Sequence, residues 1–296
     1  MTADLHAAAD ACLLCGGPQQ TRFTLAARGV LYCPQCQMGQ LVPLPTDEEL
    51  AALYASEAYF RGGDAVGYAD YAGDAAQHAR SFRRQAAWLL RHGAVADLLE
   101  IGCGPGLFLA EAARLGVARP LGVDLNPWAV EAARARGLDA RVGSIDAVPS
   151  GQRFDAVVML DVLEHVRAPL PFLAEVRARL RPDARLLLMT PNIRSLLARV
   201  SGARWVSFKV PEHVRYYSPR GIRLLLAAAG FEVLAVRGAG QYVTVAFVLD
   251  RLRRLVPGPA RLFGRVAAAL GAESRVIFLT NGSIDVIARP AGTSVR

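Results

Sequence analysis

The stretch Leu98-Leu99-Glu100-Ile101-Gly102-Cys103-Gly104-Pro105-Gly106 constrains this chain more than any other. An apolar run passes into three closely spaced glycines and then into an amphipathic segment, which reads as strand, tight turn and helix. Glycines at such a turn let backbone approach a ligand, and the helix that follows presents its N-terminus to it. The downstream pattern repeats the alternation. Strands are predicted at Asp97–Ile101, Pro120–Asp124, Ala140–Val142, Phe154–Leu160, Arg185–Thr190, Phe231–Arg237 and Ser283–Arg289. Helices are predicted at Leu107–Leu115, Pro127–Arg136, Pro169–Leu180 and Pro219–Ala229. Such alternation predicts a doubly wound α/β sheet.

A GxGxG turn alone is shared by many nucleotide folds, so its neighbours decide its meaning. Asp124 closes the second strand, where a carboxylate can accept both hydroxyls of a ribose. Asp146-Ala147 follows the third strand, and Phe154-Asp155-Ala156-Val157-Val158 opens the fourth. In this order and spacing the set resembles the class I S-adenosylmethionine-dependent methyltransferases, over about residues 80–237 and again near 283–289. The resemblance implies a seven-stranded Rossmann-like sheet and S-adenosyl-L-methionine as cofactor. It implies that Gly102, Gly104 and Gly106 shape the cofactor loop beside Glu100, and that Asp124 holds the ribose. Asp146 and Ala147 would border the adenine, and Asp161 would lie near the reacting end. Cys103, inside the loop, reads as a small packing residue.

Methyl transfer from a sulfonium asks the protein to position the acceptor and, for a hydroxyl, to remove its proton. Asp161-Val162-Leu163-Glu164-His165-Val166 follows the fourth strand, at the sheet edge where open α/β folds bind ligands. This segment is similar to the LEH stretch of the ubiquinone-type O-methyltransferases and of a broad group tied to glycan and natural-product pathways. His165 is a candidate general base or a lining residue. Pro211-Glu212-His213-Val214-Arg215-Tyr216-Tyr217-Ser218-Pro219 falls over the same edge and resembles a PEH…Y-S segment of that group. His213 is either a second candidate base or a histidine that fixes the loop, and Tyr216 or Tyr217 can line the pocket. Leu160-Asp161-Val162-Leu163 stands where amino-methylating nucleic-acid enzymes carry an Asn/Asp-Pro-Pro-aromatic motif. Methylation of a hydroxyl on a small-molecule, glycan or lipid-linked acceptor is therefore the leading expectation. An RNA methyltransferase, a sugar C-methyltransferase and a non-catalytic adaptor are the alternatives.

The N-terminal segment follows different rules. Cys12-x2-Cys15 and Cys33-x2-Cys36 give two knuckles of paired thiolates, the spacing of a four-cysteine structural zinc site, with two disulfides or a redox CxxC as the alternatives. A segment this short builds little core, so the metal would supply its folding energy. The expected organisation is a zinc ribbon over 1–43, a linker and helix over 44–73, and the methyltransferase domain over 74–296. Within the linker, Thr46 with Glu49 reads as a helix start running to about Tyr54, and Arg61–Gly73 as a mobile connection. The family's last two strands are joined by a short hairpin, whereas here a basic helical insertion is expected at about 238–280.

The charge of +8 is unevenly placed: residues 193–275 carry 14 basic and 4 acidic side chains. Such a surface fits an anionic acceptor or docking partner, with nucleic acid ranked lower. Leu262, Phe263, Val266 and Leu270 share a helical face, which suggests peripheral membrane contact through 250–270, a cap on its own domain or a homodimer contact. No apolar run approaches the ~20 residues of a membrane-spanning helix, and no basic n-region opens the chain. A cytoplasmic protein, membrane-associated at most, is expected.

Overall fold

The computed structural model describes residues 11–46, 48–50, 75–255 and 257–292. The connection expected at Arg61–Gly73 and the helix beyond Leu50 lie outside them. The start of that helix is described: Glu49 N–H donates to Thr46 Oγ1 and Thr46 N–H donates to Glu49 Oε2, a reciprocal cap.

The chain begins with three short strands, β1 (Gln20–Leu25), β2 (Arg28–Cys33) and β3 (Met38–Val42), paired in sequence. The main body then alternates α1 (Ala75–Leu90), β4 (Asp97–Ile101), α2 (Leu107–Arg114), β5 (Arg119–Asp124), α3 (Pro127–Arg134) and β6 (Asp139–Val142). It continues with β7 (Phe154–Leu160), α4 (Pro169–Ala178), β8 (Leu180–Pro191), α5 (Leu196–Ser201), β9 (Arg215–Tyr216) and α6 (Pro219–Ala228). Last come β10 (Phe231–Thr244), α7 (Val245–Leu255), α8 (Pro257–Ala269) and β11 (Val276–Pro290).

Seven strands form one sheet in the order β10-β11-β8-β7-β4-β5-β6, antiparallel only where β11 enters between β8 and β10. The order reverses at β4, so the carboxyl ends of β4, β5 and β7 open onto one crevice. Each face of the sheet has its own core. Phe108, Leu109, Trp88 and Leu89 cover one side, and Leu173, Val176, Leu225 and Leu226 the other. Side-chain caps start the helices where prolines follow polar residues. Asn126 accepts from Ala129 N–H and Ser218 from Gly221 N–H.

Two elements differ from the expectation. Leu180, expected to end a helix, instead opens β8 opposite Phe154, because Arg179 caps α4 and the buried Leu180 continues the sheet. The expected insertion is also smaller. Gly238–Thr244 and Val276–Thr280 prolong the β10–β11 hairpin, with Tyr242 facing Phe278 at a ring separation of 5.2 Å. Cross-strand aromatic and β-branched pairs carry the hairpin outward, leaving α7 and α8 at its tip.

The small sheet is not independent of the large domain. β9 pairs with β3, in the register Gly39↔Tyr216 and Gln40↔Arg215, which completes a four-stranded sheet β1-β2-β3-β9. Cys12, Cys33, Cys36 and Met38 belong to the same buried cluster as Tyr217, Ile222 and Leu225. Gly221 of α6 makes this approach feasible, since a Cβ there would sit 2.4 Å from Met38 Cγ and 3.1 Å from the Cys36 carbonyl.

Candidate functional site

The crevice at the carboxyl ends of β4, β5 and β7 is a cavity of about 750 Å3. Its floor is the glycine loop. Gly102 and Cys103 N–H both donate to the Val123 carbonyl, and Gly104 N–H donates to Asp124 Oδ2 at 2.8 Å. Gly102 has φ +73 and lies against Val162, where a Cβ would come within 2.6 Å of Cγ2. Cys103 is buried beneath the loop, and burial pushes its thiol up, so it packs and does not react.

Two carboxyl groups meet above this floor. Asp124 Oδ1 accepts from Asn126 N–H at 2.9 Å, so each of its oxygens is oriented by one backbone amide and keeps a further lone pair. Burial raises its pKa despite those two donors. Glu100 is 3% exposed, and burial together with the Asp124 charge raises its pKa well above the carboxylate range. Its Oε2 is buried without a hydrogen-bond partner among the described residues. A buried acceptor left unsatisfied on a cavity wall is costly unless a ligand completes it. The pair therefore fits a ligand that offers hydroxyl and ammonium donors.

Of the residues expected at the cofactor, the cavity wall includes Glu100, Gly102, Gly104, Asp124 and Asp161. Gly106 lies at the α2 N-cap. Beyond β6 the wall consists of Gly143 and Ser144, while Asp146 and Ala147 stand in the adjoining single-turn helix. Asp146 Oδ1 accepts from Ser144 N–H at 3.1 Å and thereby shapes that turn.

The opposite end is lined by the segment after β7. Asp161 has φ +54, and His165, Val166 and Arg167 continue the wall. The His165 ring meets His213 edge to face, 4.7 Å between centroids and 86° between planes. Sequence reading set both histidines over one sheet edge, and the fold brings them into contact, with His165 on the cavity and His213 behind it. His213 Nδ1 donates to the Ser207 carbonyl at 2.8 Å, and the His165 ring donates to the Glu212 carbonyl. Burial and the Lys209 charge push His165 down to about 3 and His213 well below its ordinary value. Both imidazoles are neutral near pH 7, and each keeps one unprotonated nitrogen.

Beside them, burial lifts Asp161 to about 6, and burial with the neighbouring Asp161 charge raises Glu164 well above its ordinary value. Thr190 Oγ1 donates to Glu164 Oε2 at 3.0 Å. Ligand atoms of Glu164, His165 and His213 lie within 4.8 Å of one another, close enough for one divalent cation. Tyr216 and Tyr217 are buried away from the cavity, and the Tyr217 hydroxyl donates to the Leu163 carbonyl.

Several wall residues were not singled out from the sequence. Gln85 of α1 is 3% exposed, lines the cavity and donates to Asp285 at 2.8 Å. Asp285 also accepts from Arg237 Nε, whose guanidinium lies 3.9 Å from the Trp88 ring centroid. The Lys209 charge acts on both histidines. No local signal marks Gln85, but Lys209 is the single lysine of the chain, and that rarity was the available clue.

The four N-terminal cysteines also converge. Cys12 and Cys36 sulfurs are 3.4 Å apart, those of Cys15 and Cys33 are 3.5 Å apart, and all four lie within 4.8 Å. Backbone amides of Gly17, Gln35, Cys36 and Met38 point at Cys15, Cys33 and Cys36. The positive φ of Gly16 and Gln37, just past each knuckle, turns the chain to present them. Four converging sulfurs with amide donors fit a tetrahedral cation.

Residues 71–236 match the family model described as a methyltransferase domain. The ubiquinone biosynthesis O-methyltransferase of Schizosaccharomyces pombe mitochondria is 35% identical over 133 residues, 42% of this chain and 46% of that protein. The enzyme of the same description from Cereibacter sphaeroides is 31% identical over 154 residues, 48% of this chain and 62% of its own. The matched region thus spans about half to three fifths of these curated relatives. Among solved structures, magnesium protoporphyrin IX methyltransferase from Synechocystis with bound SAH superposes with TM-score 0.54 at 16% identity. That match covers 83% of this chain and all of the other, and it shares the fold.

Proposed function

This chain belongs to the class I S-adenosylmethionine-dependent methyltransferases, and on that premise we propose that it methylates a hydroxyl of a small-molecule or lipid-linked acceptor. The carrying observation is His165 on the wall of the cavity that also holds Glu100 and Asp124, with the His213 ring packed behind it. S-adenosylmethionine, when bound, supplies the electrophilic methyl group. Asp124 would hold its ribose hydroxyls, Glu100 Oε2 would take a donor from the cofactor, and the loop Gly102–Gly106 would lie against it. Gly143, Ser144 and the turn at Asp146-Ala147 border the adenine.

On the acceptor side, His165 takes the hydroxyl proton on its unprotonated nitrogen as the oxygen attacks. His213 orients it from behind. Asp161, lying between the two ends, positions acceptor and cofactor for in-line displacement. Arg167 on the wall and Lys209 behind it favour an acceptor that carries negative charge. The relatives named as ubiquinone biosynthesis O-methyltransferases support methylation of oxygen on a small acceptor. Exposed Phe263 and Leu270 on and just beyond α8 suit the peripheral membrane contact that a lipid-linked acceptor would use. The four cysteines would hold a structural zinc ion, and four thiolate ligands would leave it no role in the transfer itself.

The test is a methyl-transfer screen across phenolic, glycan, lipid-linked and RNA acceptors, followed by His165→Ala on the best one. Turnover should fall by about 10²–10⁴-fold while cofactor affinity stays within a few fold. Unchanged turnover removes His165 as base, and transfer to RNA alone overturns the small-acceptor reading.

A further inference from the structure

Arg215 is the most unusual charge in the fold. It is 4% exposed and lies on β9, opposite Gln40 of β3. Its Nη1 donates to Gln40 Oε1 and its Nη2 to the Arg167 carbonyl at 2.6 Å, while Nε is buried with no hydrogen-bond partner. No carboxylate pairs with it among the described residues. A guanidinium cannot shed its proton, so a buried one needs negative charge nearby. The opposing groups that face it are the Tyr217 phenol and the Cys12 thiol. Arg215 and Cys12 line the same crevice, about 270 Å3, between the cysteine knuckles and α4.

The missing negative charge is one that the cysteines acquire with metal. A zinc ion in four thiolates retains net negative charge, and here that centre is largely buried. We propose that Arg215 is the counter-charge of the zinc–thiolate centre, a positioning residue that the methyltransferase domain contributes to the ribbon. This rests on the zinc reading given above.

The placement has a second effect. The neighbouring Val214 is hydrogen-bonded on both sides: its carbonyl accepts from Leu41 N–H of β3 at 3.0 Å, and its N–H donates to the Glu164 carbonyl at 2.9 Å. His213 precedes it. β3 and Arg215 thereby tie the segment that precedes β9, with His213 in it, to the cysteine knuckles, and the cofactor end of the cavity lies outside this linkage.

Zinc affinity measured by chelator competition tests the assignment, in wild type, Arg215→Met and Arg215→Lys. Calorimetry with S-adenosylmethionine serves as the check on folding. Arg215→Met should bind zinc about 10–100-fold more weakly, the usual cost of losing an outer-shell partner. Arg215→Lys, which keeps the charge, should recover most of that loss, and all three proteins should bind cofactor alike. Undiminished zinc affinity in Arg215→Met overturns the counter-charge alone, and so does an equal loss in Met and Lys variants, which would mark a packing role. Wild-type protein that binds no zinc overturns the zinc reading and this inference with it.

Discussion

Replacing Asp124 by alanine separates two properties that the structure places in one side chain. The carboxylate accepts from Gly104 and Asn126 N–H at 2.8 and 2.9 Å, which aims its remaining lone pairs into the cavity. A hydrogen bond to a charged acceptor is worth about 1.5–3 kcal/mol. Losing two from a ribose therefore weakens cofactor binding by roughly 3–6 kcal/mol, or about 10²–10⁴-fold in Kd at 1.4 kcal/mol per decade. The ligand-free protein should respond differently. Burial already disfavours the Asp124 charge, so its removal relieves a desolvation cost that offsets the two lost loop contacts. Unfolding free energy should move by less than about 1.5 kcal/mol in either direction. Asp124→Asn, which keeps one oxygen, should fall between alanine and wild type. Isothermal calorimetry gives Kd and urea unfolding gives stability. A Kd within threefold of wild type, or a stability loss as large as the binding loss, would refute the argument that this carboxylate holds ligand and not fold.

Two further outcomes follow from groups already described. His165 titrates at about 3 in the native state against 6.5 ordinarily, so unfolded chains take up its proton first as pH falls. Its depressed pKa contributes stability above pH 6.5 that is lost towards pH 3. The stability advantage of wild type over His165→Gln should therefore shrink by about 1.4 kcal/mol per pH unit between about pH 6 and pH 4. Urea unfolding at stepped pH checks this, and parallel profiles would show that His165 is not buried neutral. Ser218→Ala removes the buried cap of α6, whose hydroxyl accepts from Gly221 N–H at 2.9 Å. A loss of about 1–2 kcal/mol in unfolding free energy is expected, and a loss below 0.3 kcal/mol would show the cap to be dispensable.

The parts of the fold that follow from local chemistry were legible from the residues alone. Strand β4, the turn at Gly102–Gly106 and Asp124 at the end of β5 are specified within short windows by burial pattern, backbone freedom and charge. The paired cysteines likewise announce their convergence through spacing. What escaped reading depends on partners distant in sequence. β9 is two residues long and becomes a strand only because β3 offers an edge. The outer hairpin over Gly238–Thr244 falls in the span expected as a helical insertion, and its strand character comes from Tyr242, Val243 and their partners near Phe278. Gln85 sits on an unremarkable helix face, and its place at the cavity is set by Asp285, 200 residues away. The contact of His165 with His213 belongs to the same class: both residues were candidates, and their juxtaposition is a tertiary fact.

The strand shared between the N-terminal sheet and the main domain has a consequence for the order in which the chain can be assembled. Gln40 and Arg215, bonded across that junction, are separated by 175 residues. As the polypeptide leaves the ribosome, β1–β3 and all four cysteines emerge before residues 215–216. The outer edge of β3, however, has no strand to pair with until residues 215–216 have been made. Throughout that interval the nascent protein displays an open β edge of the sort that recruits foreign strands. Closure of the β3 edge thus waits for the 175 residues that separate Gln40 from Arg215, and a fragment that stops short of Arg215 would carry the cysteines without the strand that closes their sheet.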